Sequence, residues 1–235
     1  MLILMHQHAE KLVRVRYKGD ELDMEKIDLC RVFWKLAEEY PEEIIIWCEE
    51  ELENDLNLDN WNEVFHHDFI MASYAIKTGF LSEKIGYIDR SPFVNVDRKV
   101  QYATWRMSTD VGGIKGKVLL QFREVFNQIK DFGFLLNSIA KLGQQNGLFC
   151  YSVPGLVRKG GLPPSHFGLA QANDRIKATA SKRELFSFVY SHYKSIRLWL
   201  VFWCFVSHEN SIPIAALITA LFQKKYFKKD IDLSG

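Results

Sequence analysis

The sequence predicts an α/β fold: a mixed sheet with flanking helices, followed by a C-terminal helical pair. Three observations predict it. The chain opens in the order strand, helix, strand, the ordinary start of an α/β domain. Between Met107 and Pro154, a Gly-Gly pair, a helical pattern, an acidic residue, a second helical pattern, two glycines and a short apolar run follow one another. Beyond residue 184 the pattern becomes apolar on nearly every side of a helix and ends in lysines. With 235 residues, 48% of them hydrophobic, the chain can bury a sizeable core.

Residues 2–5 and 12–16 read as short strands joined around residues 7–10, and Gly19-Asp20 turns the chain towards a helix. Ile27, Cys30, Phe33, Trp34 and Ala37 give that helix one apolar face, and Pro41 ends it. Residues 44–48 form an unbroken apolar run, which suits a strand covered on both faces. Trp61, Val64 and Phe65 anchor a short helix or loop. Residues 69–76 and 85–88 are further strand candidates, with extended or loop-like segments at 93–96 and 100–104. Ile114, Val118, Phe122, Phe126 and Ile129 fall at helical spacing, and after Asp131 so do Phe132, Leu135, Leu136, Ile139 and Ala140. Gly143 and Gly147 stop that helix, and residues 148–153 read as a buried strand.

Gly160-Gly161-Leu162-Pro163-Pro164 breaks the chain, and residues 171–182 are polar and rich in alanine. The expected organisation is therefore an α/β domain over 1–170, a linker over 171–183 and a helical pair over 184–235. One long helix is expected over 184–206 and a second over 212–222. Crossing a bilayer needs about 20 consecutive apolar residues, and neither uninterrupted run reaches that length. The segment 184–229 is expected either to lie in a membrane interface or to dock as a buried hairpin. In the first case Trp199 and Trp203 sit at the belt, and Lys224, Lys225, Lys228 and Lys229 meet anionic head groups.

The net charge of +1 argues against a dedicated nucleic-acid binder, which needs a basic surface field. The charge is divided: residues 38–59 hold ten acidic residues and no Lys or Arg, whereas 175–229 hold ten basic residues against Glu184 and Glu209. Cys30, Cys48, Cys150 and Cys204 lie in apolar runs without paired spacing, which suits reduced core residues in a cytosolic compartment. The apolar opening, residues 1–5, is too short for a secretory segment. The expected location is cytoplasmic, and peripheral at the inner face of the membrane in the case where 184–229 lies in the interface.

The order of Gly112-Gly113, helix, Asp131, helix, glycine, strand and Pro154 resembles the acceptor-side half of family 2 glycosyltransferases with the GT-A fold. Phe65-His66-His67-Asp68, Ile85-Gly86-Tyr87 with Ser91-Pro92-Phe93, and Asn146-Gly147-Leu148-Phe149-Cys150-Tyr151-Ser152 resemble the N-terminal region of longer bacterial members, in which a transferase domain follows. The resemblance implies a reduced GT-A-like sheet that transfers a sugar from a nucleotide-sugar to a glycan or lipid-linked acceptor, with Mn or Mg at the diphosphate. It implies Asp131 as the catalytic base and Gly112 and Gly113, with the neighbouring Asp110, at the sugar. Trp105 is a further candidate, because an aromatic face stacks on a sugar ring. Asp131 also reads as a plain helix N-cap.

The family's paired acidic residues are here Lys130-Asp131, and Asp89-Arg90-Ser91 lacks the second aspartate of an Asp-x-Asp metal motif, so no metal ligands are assigned. His66-His67-Asp68 supplies metal-type side chains that diverge on any regular backbone. Two alternatives remain open. One is a non-catalytic module that binds a glycan or a partner transferase; the other is an unrelated α/β protein whose helical hairpin forms an oligomer interface.

Overall fold

The computed structural model describes residues 1–24, 28–89, 96–158 and 177–233. Ten strands are described: β1 (Leu2–Gln7), β2 (Lys11–Tyr17), β3 (Asp20–Leu22), β4 (Ile44–Glu49), β5 (Ile70–Tyr74), β6 (Thr78–Gly79), β7 (Tyr102–Ala103), β8 (Val111–Lys115), β9 (Phe149–Ser152) and β10 (Lys177–Ala178). The α-helices are α1 (Leu29–Glu39), α2 (Leu58–Val64), α3 (Gly116–Leu120), α4 (Arg123–Phe126), α5 (Phe132–Gln145), α6 (Lys182–His192), α7 (Ser195–His208) and α8 (Ile214–Leu221). The fold is α/β. Eight strands form one mixed sheet in the order β3-β2-β1-β4-β8-β5-β9-β7, and β6 pairs with β10 in a separate parallel ribbon.

β1 runs parallel to β4 and β5 parallel to β9, while the other neighbours in the large sheet are antiparallel. Since β8 is antiparallel to both β4 and β5, the strands β1, β4, β5 and β9 all point the same way. Their carboxyl ends share one edge of the sheet.

Alternation along the central strands builds two cores. Ile45 and Trp47 of β4, Met71 of β5 and Ile114 of β8 face the larger one, which also takes in α1 and α5. Ile46, Cys48, Ile70, Ala72, Tyr74 and Val111 face the other way, onto Leu52, Trp61, Val64 and Leu156. Residues 44–48 therefore read as an unbroken apolar run because both faces of β4 are covered. α1 begins where the Asp28 carboxylate accepts from the backbone N–H groups of Cys30 and Arg31, and its apolar face meets the sheet through Phe33 and Trp34.

The structure corrects several local expectations. Residues 85–87 lie in a 3-10 turn (Glu83–Tyr87) that Ile88 ends, with Ile85 buried, since a run of four apolar residues carries no periodicity that separates strand from helix. Gly112-Gly113 does not open a helix. It lies in β8, whose Ile114 pairs with both Ile45 and Met71, and the helical spacing after it is divided between α3 and α4. The long helix expected over 184–206 is broken at Tyr193, whose backbone is extended (φ −128°, ψ 169°) and whose hydroxyl donates to Asp89 at 2.5 Å. α7 starts afresh two residues later.

The C-terminal segment is joined to the rest. Phe186, Phe188 and Val189 of α6, Leu198, Val201 and Phe205 of α7, and Ala216, Leu217 and Ala220 of α8 belong to the same hydrophobic cluster as Phe33 and Trp47. His192 Nε2 lies 2.9 Å from Ser138 Oγ of α5, and the Trp105 ring stacks on Phe188. Where the expected linker is described, it is ordered: β10 pairs with β6, and Ser181 and Glu184 form a reciprocal capping box at the start of α6. The glycine and proline breaker at 160–164, residues 171–176 and the Ser91-Pro92-Phe93 run lie outside the described residues.

Candidate functional site

Outside the carboxyl ends of β1, β4 and β5 lies a crevice of about 400 Å³. It is lined by His8, Ala9 and Glu10 after β1, Glu49 and Glu51 at the end of β4, Lys77, Thr78 and Phe80 beyond β5, and Thr109 and Asp110 ahead of β8. Asp131 and Gly133 at the start of α5, and Thr179 after β10, complete it. In open α/β sheets ligands collect at this edge, because loops leaving parallel strands diverge there and leave a gap.

The β1–β2 register shifts between Met5 and His6, and the chain then turns through His8 and Ala9, both with left-handed backbone (φ 56° and 58°). Two consecutive positive φ values make the tight hairpin that suits sheet twist, at a steric cost for residues with a Cβ. Glu49 holds this turn. Its carboxylate accepts from the His8 backbone N–H at 2.9 Å and 3.1 Å and lies 3.1 Å from His6 Nδ1. His6 is fully buried, with Nε2 2.9 Å from the Thr109 carbonyl. Burial raises the Glu49 carboxyl's pKa, but hydrogen bonds from His6 and the His8 backbone outweigh it, so the net shift is downward.

Asp110 is buried and its acceptor capacity is used. Oδ2 accepts from the backbone N–H groups of Ile76, Lys77 and Thr78 at 2.7, 2.7 and 3.1 Å, and Oδ1 accepts from the Thr78 hydroxyl at 2.7 Å. This carboxylate fastens the loop after β5 to the start of β8, and the Asp110 carbonyl accepts from the Glu49 N–H at 2.8 Å. Ser108 extends the network: its N–H donates to Ser73 Oγ and its hydroxyl to the Thr78 carbonyl, each at 3.0 Å.

Asp131 caps α5, accepting the Phe134 N–H at Oδ1 over 2.5 Å. Its side chain is exposed to solvent at the crevice, and the protein around it raises its pKa, desolvation being the largest cause. The backbone hydrogen bond opposes that rise, while Glu184 and Glu10 add to it. Next along the helix, Gly133 leaves room for Phe80, whose ring a Cβ would meet at 2.6 Å. Lys77 is paired with Glu51, so the wall carries an excess of carboxylates. Such a wall accepts hydrogen bonds from hydroxyl groups and takes up a proton, with Phe80 as an apolar surface beside it.

Of the residues singled out from the sequence, Asp110 and Asp131 meet in this crevice, while Gly112, Gly113 and Trp105 lie outside it. Both glycines are buried in β8: a Cβ on Gly112 would stand 2.2 Å from Trp47 Cζ2, and one on Gly113 2.7 Å from Trp61 Cζ3. Trp105 is buried between Phe188 and the Lys141 ammonium, 4.3 Å from its ring centre. Asp89 also lies away from the crevice, with Lys141 Nζ at 2.8 Å. Among the described residues no three His, Cys, Asp or Glu side chains converge to hold a metal ion. Sequence reasoning missed Glu49, Lys77 and Thr109. The available signal was that Glu49 ends the apolar run at 44–48, where a parallel strand delivers its last side chain to the ligand edge. Comparisons of the chain with family models, with curated proteins and with solved structures each find no match.

Proposed function

We propose that this chain is a glycosyltransferase of the family 2 type, or the N-terminal module of one, and that its crevice holds a glycan or lipid-linked acceptor. The observation that carries this reading is the placement of Asp131 at the start of α5, with its pKa raised, in a carboxylate-rich crevice at the carboxyl ends of β1, β4 and β5. The order expected from the resemblance supports it: glycine pair in β8, helices α3 and α4, Asp131, α5, then β9. Sugar hydroxyls donate to Glu10, Glu49 and Asp131, and Thr109 and Thr179 add neutral partners. The Asp131 carboxylate takes the proton from one acceptor hydroxyl. The freed oxygen forms the bond to the anomeric carbon of a nucleotide-sugar, and the nucleotide leaves with the electron pair of the bond that breaks. A carboxyl whose pKa lies above the ordinary value is the better base near neutral pH. The glycines act at a distance in this scheme, by letting Trp47 and Trp61 close on β8.

The test is Asp131→Asn. Asparagine caps a helix as well as aspartate does, so the fold is kept while the base is lost. Transfer from nucleotide-sugars to glycan acceptors should fall by about 10²- to 10⁴-fold. Unchanged transfer would remove Asp131 from the mechanism.

A second reading, a non-catalytic glycan-binding module, is favoured by the saturation of Asp110 with four donors and by the pairing of Lys77 with Glu51. The first leaves Asp110 no spare acceptor for a metal ion, and the second takes up the positive charge that a diphosphate would need. Calorimetry of the chain against UDP, GDP and their sugar conjugates, with and without manganese, separates the two. Saturable metal-enhanced binding favours a transferase complete in this chain. Binding of free glycans alone favours the module.

A further inference from the structure

α7 and α8 each carry two apolar faces. The inward face of α7 is Leu198, Val201 and Phe205, and that of α8 is Ala216, Leu217 and Ala220. On the opposite side, at i, i+3, i+4 and i+7, α7 exposes Ile196, Trp199, Leu200 and Trp203; α8 exposes Ile214, Ile218 and Leu221, at i, i+4 and i+7, with Phe222 just past its end. Several of these are open to solvent over most of their surface: Ile196 is 68%, Trp203 62% and Phe222 85% exposed. Scattered apolar side chains on a surface are ordinary, but two continuous stripes on helices that both pack against α6 are not.

A second, independent feature adjoins them. Lys225 Nζ donates to Ser195 Oγ at 2.7 Å, which brings the end of α8 against the start of α7. Lys194, Arg197, Lys224, Lys225, Lys228 and Lys229 thereby gather at one end of the two stripes. Over residues 194–229 the sole acidic residue is Glu209, already paired with Lys84. No helix among the described residues is long and apolar enough to cross a membrane, and α7 and α8 span 14 and 8 residues.

We infer that the outward stripes of α7 and α8 dock on an anionic lipid surface. The stripes enter the boundary between head groups and acyl chains, with Trp199 and Trp203 at that boundary, while the six cations meet lipid phosphate or carboxylate groups. Charge selects this occupant over a second copy of the chain, since the same cationic cluster on both partners adds repulsion to any joining of the stripes. The inference is independent of the sugar reading, because it uses no residue of the crevice.

The experiment is flotation of the full chain with phosphatidylcholine vesicles, with and without phosphatidylglycerol. The chain should float with the anionic vesicles and stay behind with the neutral ones. Lys224→Gln with Lys228→Gln should weaken binding by about tenfold or more, since each cation near the surface contributes on the order of fivefold. Trp199→Glu with Trp203→Glu should abolish it, with an unchanged far-UV circular dichroism spectrum showing that the chain stays folded, since both rings are exposed, Trp199 at 46% and Trp203 at 62%. Flotation with neither vesicle, or equally with both, overturns the inference. So does a lipid-free dimer in sedimentation that Trp203→Glu dissolves, which would assign the face to a second copy.

Discussion

Gly112 is fixed by what stands beside it. Any side chain there would press on Trp47 Cζ2 and, at 2.6 Å, on the Ala72 carbonyl, and neither can yield without moving β4 or β5. Gly112→Ala should therefore cost about 3 kcal/mol or more in urea unfolding. Gly147→Ala, where φ is +97° but the space is open, should cost only about 1 kcal/mol. Asp110 makes a second test. Asp110→Ala would strip three backbone N–H groups of their acceptor, so a loss of about 2–4 kcal/mol is expected, with the loop after β5 becoming the first segment to exchange its amide protons. The sequence makes the glycine pair visible without its cause. Trp47 and Trp61 are distant from it in the chain; strand pairing brings Trp47 to β8, and the packing of α2 on the sheet brings Trp61.

At the scale of elements, α5 separates capping from chemistry. Asp131→Ala should lower stability by about 1 kcal/mol, whereas Asp131→Asn should leave it nearly unchanged while any transfer is lost. Comparing the melting temperatures of the two variants reads the cap alone. β1, β2, β4, β5 and β9 were legible as short apolar runs bounded by turn residues, whereas β3, β6, β8 and β10 were not. The break between α6 and α7 was not, since no Gly or Pro marks it. It depends instead on Tyr193 reaching Asp89 and on α7 turning Leu198 and Phe205 onto the core. The division of the helix expected after Gly113 has the same origin: Ile114 has two strand partners, and local spacing is blind to them.

For the whole molecule, acid sensitivity follows from His192. Burial, with Lys141 nearby, lowers its pKa from 6.5 to about 3, so it remains neutral in the fold, against Ser138. The unfolded chain binds a proton below about pH 6.5 that the folded chain refuses until about 3. Stability is therefore expected to fall as pH drops through that window. The carboxylates of Glu43, lowered by the Met1 ammonium, and Asp68, lowered by Lys117, act with the same sign, but only nearer the ordinary carboxylate range. Urea midpoints between pH 7 and 5 should decline for the native chain and stay level for His192→Gln; parallel declines would contradict the assignment. The candidate site was legible at two points, Asp110 and Asp131. The crevice between them was not, because its walls come from the ends of three strands that become neighbours only when the sheet is assembled.

The place of β8 has a consequence for how the chain comes to be folded. β4 and β5 join the same sheet only through β8, which is synthesised after both of them. A nascent chain that has delivered β1 to β5 therefore carries two unfinished hydrogen-bonding edges with a slot between them. Val111 to Lys115 must pair with both strands, and Gly112 and Gly113 must come between two indole rings, Trp47 on one face of the sheet and Trp61 on the other. Insertion of a late strand between earlier ones is a non-local, slow step, and open edges invite pairing with other chains while it is pending. Ribosome-bound chains arrested before β8 should depend on chaperones to stay soluble, and those arrested after β9 should not.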